Sequence, residues 1–224
     1  VRLAPIGADG TWRACVERCD CQRQADADAA YQRAWAASNL TLDVCEAQTF
    51  ATFDPTQQPE AYKALRAFAQ APAEAQGGPY GWVVLSGAPG CGKSHLLVAA
   101  AVELLARGRR PLYAIAPELL RYVRSGIASG QMDTRIDQAR DADVLLLDDL
   151  GAEKNTEWSD ELFYRVLNER YRLKRPTVIA SNLLPTEMPM RLASRMRDVA
   201  LSRVVVMRGA DYRLTLGKRR KVGT

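Results

Sequence analysis

The sequence predicts a parallel α/β fold, and three observations carry that expectation. Five short runs, Trp82–Ser86, Leu112–Ala116, Val144–Leu147, Thr177–Ala180 and Val204–Met207, are apolar without alternation, the pattern of strands buried on both faces. Helical patterns separate them, as crossovers between parallel strands require. A glycine-rich segment of the form G-x-x-x-x-G-K-[ST], Gly87 to Ser94, lies between the first run and the first core helix.

The elements follow in chain order. Residues 1–24 read as irregular and hold Cys15, Cys19 and Cys21, and the Ala-rich stretch 25–39 reads as a helix. Leu40 to Pro55 holds a short extended piece flanked by Phe50 and Phe53, and a helix follows from about Pro59 to Gln70. Ala71 to Gly81, with two prolines and three glycines, reads as a linker. After the glycine loop a helix runs from Leu96 to Arg107 and stops at Gly108. Pro117 opens the next helix, at a position where its missing N–H costs no hydrogen bond. An amphipathic helix spans Glu157 to Leu173, and Arg191, Arg195 and Arg197 share a helix ahead of the last strand. The divisions expected are a partner-binding segment 1–70, a linker 71–81, a nucleotide-binding domain 82–217 and a basic tail 218–224.

Composition narrows the class. The 224 residues are 47% hydrophobic and 25% charged, as in an ordinary globular protein. No stretch approaches the roughly 18 uninterrupted apolar residues of a membrane span, and no signal peptide is visible, so no membrane partner is expected. Five cysteines, an odd number with Cys91 inside the glycine loop and Cys45 alone, imply reduced thiols and a cytoplasmic setting. Residues 1–80 carry 7 Lys/Arg against 10 Asp/Glu, whereas residues 81–224 carry 24 against 16. The nucleotide-binding part is therefore the basic part, which suits contact with nucleic acid.

The loop dictates its own chemistry. In Gly87-Ala88-Pro89-Gly90-Cys91-Gly92-Lys93-Ser94-His95 the glycines let main-chain N–H groups curl around a phosphate with no Cβ in the way. The start of the following helix adds positive potential. Lys93 is placed to reach the β- and γ-phosphates of ATP, Ser94 to ligate Mg²⁺, and His95 to pack beside the nucleotide. The apolar strand ending in Asp148 and Asp149 brings carboxylates to the sheet edge beside that loop, Asp148 to hold Mg²⁺ and Asp149 to act as general base. Aspartate is shorter than the glutamate common in this wider class, so slow hydrolysis is expected. Asn182, at the end of the fourth strand, either reaches the γ-phosphate and water or shapes the turn before Pro185. Arg191, Arg195, Arg197 and Arg213 offer guanidinium groups suited to phosphate.

Taken together, GAPGCGKSH, VLLLDDLGAEK, NERY, RPTVIASNL, RLASR and GADYR resemble, in order and spacing, the AAA+ ATPases of the DnaC/DnaI/IstB type, which comprise helicase loaders and transposase helpers. The resemblance covers roughly residues 48–217, beginning at TFATFD. It implies a P-loop AAA+ fold, a five-stranded parallel sheet flanked by helices, with a small Cys-containing N-terminal appendage and little or no lid domain. It also implies side-by-side subunits with ATP at the junction. Arg195 then matches an arginine finger offered to the neighbouring subunit, Arg191 a second arginine of that box, Asn182 sensor I and Arg213 sensor II. The stretch Glu153 to Trp158 resembles the part of loaders that faces single-stranded DNA, with Lys154, Thr156 and Trp158 as contacts and Arg121, Tyr122 and Arg124 extending the surface. Trp158 reads equally well as a hydrophobic anchor. Phage-type relatives carry a zinc ribbon, C-x2-C followed by C-x-C. Cys19 and Cys21 correspond to its second half, Cys15 is either a ligand or a bystander, and Zn²⁺ is an open expectation.

The function these readings favour is an ATP-dependent helicase loader in DNA replication, with a replicative helicase, single-stranded DNA and further copies of itself as partners. A transposase helper is the alternative, and an ATP-dependent scaffold or switch with negligible turnover is a third.

Overall fold

The computed structural model describes residues 2–5, 12–15, 38–72, 81–152, 156–209 and 211–212. The core is a five-stranded, all-parallel sheet in the order β4-β5-β6-β3-β7. Its strands are β3 (Trp82–Gly87), β4 (Pro111–Ile115), β5 (Val144–Leu150), β6 (Thr177–Ser181) and β7 (Ser202–Met207). All five expected strands are present, each within a few residues of its predicted limits.

Helices cover both faces. On one lie α2 (Pro59–Gln70) and α3 (Lys93–Ala106). Leu65, Phe68, Leu96, Leu97 and Leu104 there meet the strand residues Val83, Leu85, Val144 and Leu146. The alanines of α3, Ala99 to Ala101, are buried and let its backbone approach the sheet. On the other face lie α4 (Ala116–Ser125), α5 (Met132–Asp141), α6 (Glu157–Arg172) and α7 (Met190–Met196), packed on Val84, Leu145, Leu147 and Ile179. Strand residues alternate between these two cores, so Val83 to Leu85, Leu145 to Leu147 and Val178 to Ala180 are buried whichever face they point to. The helix from Pro59 to Gln70, expected in the segment ahead of the domain, packs into the same core as α3.

Several details differ from expectation. Residues 2–5 and 12–15, read as irregular, are strands β1 and β2 paired antiparallel, with Cys15 at the end of β2. Leu42–Ala47, in the stretch Leu40 to Pro55 for which no helix is expected, is a short helix, α1, that buries Cys45 and carries Asp43 in its first turn. Helix α5 was not anticipated, because only Ile136 and Ala139 are buried on it, too few to mark a helical stripe. The expected helix at 25–39 lies almost wholly outside the described residues, as do most of the linker, the basic tail, Cys19, Cys21, Lys154 and Arg213. Among the described residues no helix is long and apolar enough to cross a membrane, and no cluster of three or more His, Cys, Asp or Glu side chains is arranged to hold a metal.

Arg170, a residue with no role in the sequence reading, joins α5 to the sheet. Its buried guanidinium donates to Thr177 Oγ1 (2.9 Å) and to the carbonyls of Ala139, Arg140, Ala142 and Pro176 (3.2, 2.9, 2.8 and 2.6 Å). Burial pulls it down to about 9, which still leaves it charged at neutral pH.

Candidate nucleotide site

At the carboxyl end of the sheet, β3 runs into the glycine loop and the loop into α3. Gly90 (φ 77°) and Gly92 (φ 101°) take left-handed conformations, the freedom that a loop wrapped around a phosphate requires. Both are also hemmed in. A Cβ on Gly90 would overlap the Asp211 carboxylate, and one on Gly92 would come within 2.8 Å of the Phe53 ring. Two segments thus clasp the loop. Tyr212 N–H donates to Gly90 O at 3.0 Å on one side. On the other, His95 Nε2 pairs with Thr49 O (2.9 Å) and Thr52 Oγ1 (3.3 Å), and its ring meets Phe53 edge-on. His95 therefore fastens the TFATFD segment to the first turn of α3. Gly92 caps α3 without a side-chain partner, so the first main-chain N–H groups of the helix remain available to an anion.

Lys93 is 6% exposed, and its ammonium has three close oxygen acceptors: Gly87 O (2.6 Å), Ala88 O (2.9 Å) and Asn182 Oδ1 (2.8 Å). Cys91 Sγ is 3.8 Å from the same nitrogen. Asn182 uses its other end to donate to Asp149 Oδ1 at 2.8 Å. The loop lysine, the strand-ending asparagine and the second aspartate, which are widely separated in sequence, thus form one line. Asn182 thus bridges the loop ammonium and the Asp149 carboxylate.

The two aspartates are parted by a local irregularity. The β5–β6 register shifts between Leu147 and Leu150, and Asp149 takes φ 56°. A bulge of this kind re-aims side chains. Asp148 continues the alternation of Val144 and Leu146 toward the α3 face and is 4% exposed. It accepts from Asp149 N–H (Oδ1, 2.9 Å) and from the Tyr113 hydroxyl (Oδ2, 2.7 Å). Burial and the Asp148 carboxylate push the Tyr113 hydroxyl upward, so it is a donor at any ordinary pH. Nothing in the sequence marks Tyr113, because only the sheet order puts β4 beside β5. Ser94 stands exposed on the first turn of α3. The donor set therefore fits a triphosphate with magnesium: glycines that admit no Cβ, free helix-start N–H groups, one buried ammonium, and a hydroxyl and carboxylate of the hard-oxygen type.

The remaining predicted residues fall elsewhere. Arg195 on α7 donates to Asn168 Oδ1 (3.0 and 2.8 Å), Tyr164 Oη (3.3 Å) and Arg191 O (2.9 Å), and lies over the Tyr164 and Tyr171 rings. Arg191 also lies over Tyr164. Trp158 is half-buried against the core, with the Arg124 guanidinium 4.8 Å above its ring. Arg121 is exposed and paired with Glu118. Thr156 stands at the N-terminus of α6. Its hydroxyl accepts from Ser159 N–H at 3.1 Å and caps α6, with Ser159 returning the bond to Thr156 N–H.

Sheet order, loop and paired aspartates together define a P-loop protein of the AAA+ type. The chain belongs to the family described as IstB-like ATP binding protein, whose model matches residues 44–214. It is 32% identical over 141 residues to phage-like element PBSX protein XkdC of Bacillus subtilis, covering 59% of this chain and 52% of that one. It is 32% identical over 105 residues to replicative helicase loader DnaI of the same organism, covering 46% of this chain and 34% of DnaI. The chain thus spans about half or less of the length of these curated relatives. Among solved structures, the DnaC helicase loader superposes with a TM-score of 0.64 at 22% identity, over 73% of this chain and 98% of that one, a likeness of fold.

Proposed function

We propose that this chain is an ATP-hydrolysing helicase loader of DNA replication, acting in the cytoplasm. The observation that carries the proposal is the Lys93–Asn182–Asp149 line laid across the glycine cradle. In this reading the loop N–H groups and Lys93 grip the β- and γ-phosphates, and Ser94 and Asp148 face the magnesium ion. Magnesium, when bound, offsets charge building on the phosphate oxygens. Asp149, steadied by Asn182, accepts the proton of the attacking water. Its short side chain, anchored at one oxygen, suits a slow timer better than a rapid engine. Arg195 and Arg191 serve the ATP of a neighbouring copy. Arg124 and Trp158, joined on the α4–α6 face, meet single-stranded DNA by charge and stacking.

The replicative helicase enters as partner because the relatives include helicase loaders. Co-purification from the native host tests this. Recovery of a helicase supports the proposal, and recovery of a transposase in its place replaces the loader with the transposase helper.

A further inference from the structure

We propose that Tyr113 is a positioning residue for Asp148, setting how well the site takes up its metal; the inference rests on reading Asp148 as the carboxylate that faces magnesium. Strand β4 is an edge of the sheet and pairs with β5 in parallel, Tyr113 opposite Leu146 and Ile115 opposite Asp148. The Tyr113 side chain lies with Leu146 on the α3 face, its ring against that core. From there the phenol reaches along the strands to put its hydroxyl 2.7 Å from Asp148 Oδ2.

Asp148 Oδ1 is held from the other direction by the Asp149 N–H. With one donor on each oxygen, rotation of the carboxylate is fixed, and each oxygen keeps lone-pair capacity for a cation or its water shell. The main chain of Tyr113 is fixed as well. Its N–H donates to Ser38 O at 3.0 Å, and its carbonyl accepts from Asn39 Nδ2 at 3.3 Å. Asn39 does this from a left-handed conformation, φ 61°, that asparagine tolerates better than most residues. An edge strand ordinarily leaves such groups to solvent. Here they seat the residue that orients the carboxylate, so the lever is anchored at both ends.

Tyr113→Phe keeps the ring and removes only the hydroxyl. The test titrates the chain with a fluorescent ATP analogue, with and without Mg²⁺, for wild type, Tyr113→Phe and Asp148→Asn. Mn²⁺ binding followed by electron paramagnetic resonance gives a second readout. The expected result for Tyr113→Phe is an unchanged melting temperature and metal-free nucleotide affinity, with about tenfold more Mg²⁺ needed for half-maximal tightening. Asp148→Asn should lose the tightening altogether. A wild-type Mg²⁺ requirement in Tyr113→Phe, with Asp148→Asn defective, overturns the positioning role alone. Loss of melting temperature and metal-free affinity together in Tyr113→Phe overturns it too, by showing a structural role. A normal Mg²⁺ response in Asp148→Asn removes the reading of Asp148 itself, and the inference with it.

Discussion

Lys93 and Asn182 meet at 2.8 Å, ammonium to side-chain carbonyl, although 89 positions separate them in the chain. The parallel pairing of β3 with β6 brings this about, because Ser86 and Ser181 stand opposite each other and both strands end at the same edge. A parallel sheet delivers the ends of distant strands to one line, and ligands bind there for that reason. Asn182 then passes the connection to Asp149.

Asn182→Ala is accordingly expected to leave ATP binding within a few-fold of wild type and to lower hydrolysis roughly 100-fold, the scale of a displaced general base. Asp149→Asn should do the same. A steady-state phosphate-release assay beside a binding titration separates the two effects; equal losses in both would assign Asn182 to binding.

Arg195 makes a second case, in which the side chain expected to act on a neighbour is held at home by Asn168. Arg195→Ala should preserve ATP binding and impair hydrolysis by assemblies. Mixed with Asp149→Asn subunits it should regain part of the activity, since each variant supplies what the other lacks. Absence of rescue at every mixing ratio would assign Arg195 to its own subunit.

Much of this was legible in the sequence, and the reasons are physical. The five strands betrayed themselves because a strand buried on both faces favours unbroken apolar runs such as Val83, Val84 and Leu85. The glycine loop was legible because backbone wrapping of a phosphate leaves few residue choices. Long-range partnerships were not. The Tyr113 hydroxyl reaches Asp148 only because β4 neighbours β5, and Arg170 finds its carbonyls only because α5 ends beside β6. Thr156 was read as a DNA contact from its place in a resembling stretch, while its hydroxyl caps the helix that carries Trp158. Helix α5 stayed hidden for want of apolar residues.

Arg170 bears on stability rather than catalysis. Replacing it by methionine takes the guanidinium from the Ala139 and Ala142 carbonyls, while Arg140 O keeps the Arg175 guanidinium, Pro176 O keeps Leu145 N–H and the Thr177 hydroxyl keeps Arg175 O, at a cost of about 1–3 kcal/mol. Denaturant unfolding measures this; a loss below about 1 kcal/mol would mean that water replaces the guanidinium with little penalty.

Trp158, with Arg124 over one face, is expected to lose about 1–3 kcal/mol of single-strand affinity when changed to alanine, read by anisotropy at matched salt. Arg124→Ala should weaken binding less and lower its salt dependence. Unaltered affinity in Trp158→Ala would make the indole a core anchor only.

Every step proposed for this chain depends on the grip of a triphosphate by the glycine loop and one buried ammonium. Equilibrium titration of the wild-type chain and of Lys93→Ala with a fluorescent ATP analogue and magnesium addresses it most directly. Saturable binding by wild type, with loss of binding in Lys93→Ala and no change in melting temperature without nucleotide, is the predicted result. Equal affinity in the two proteins would contradict it.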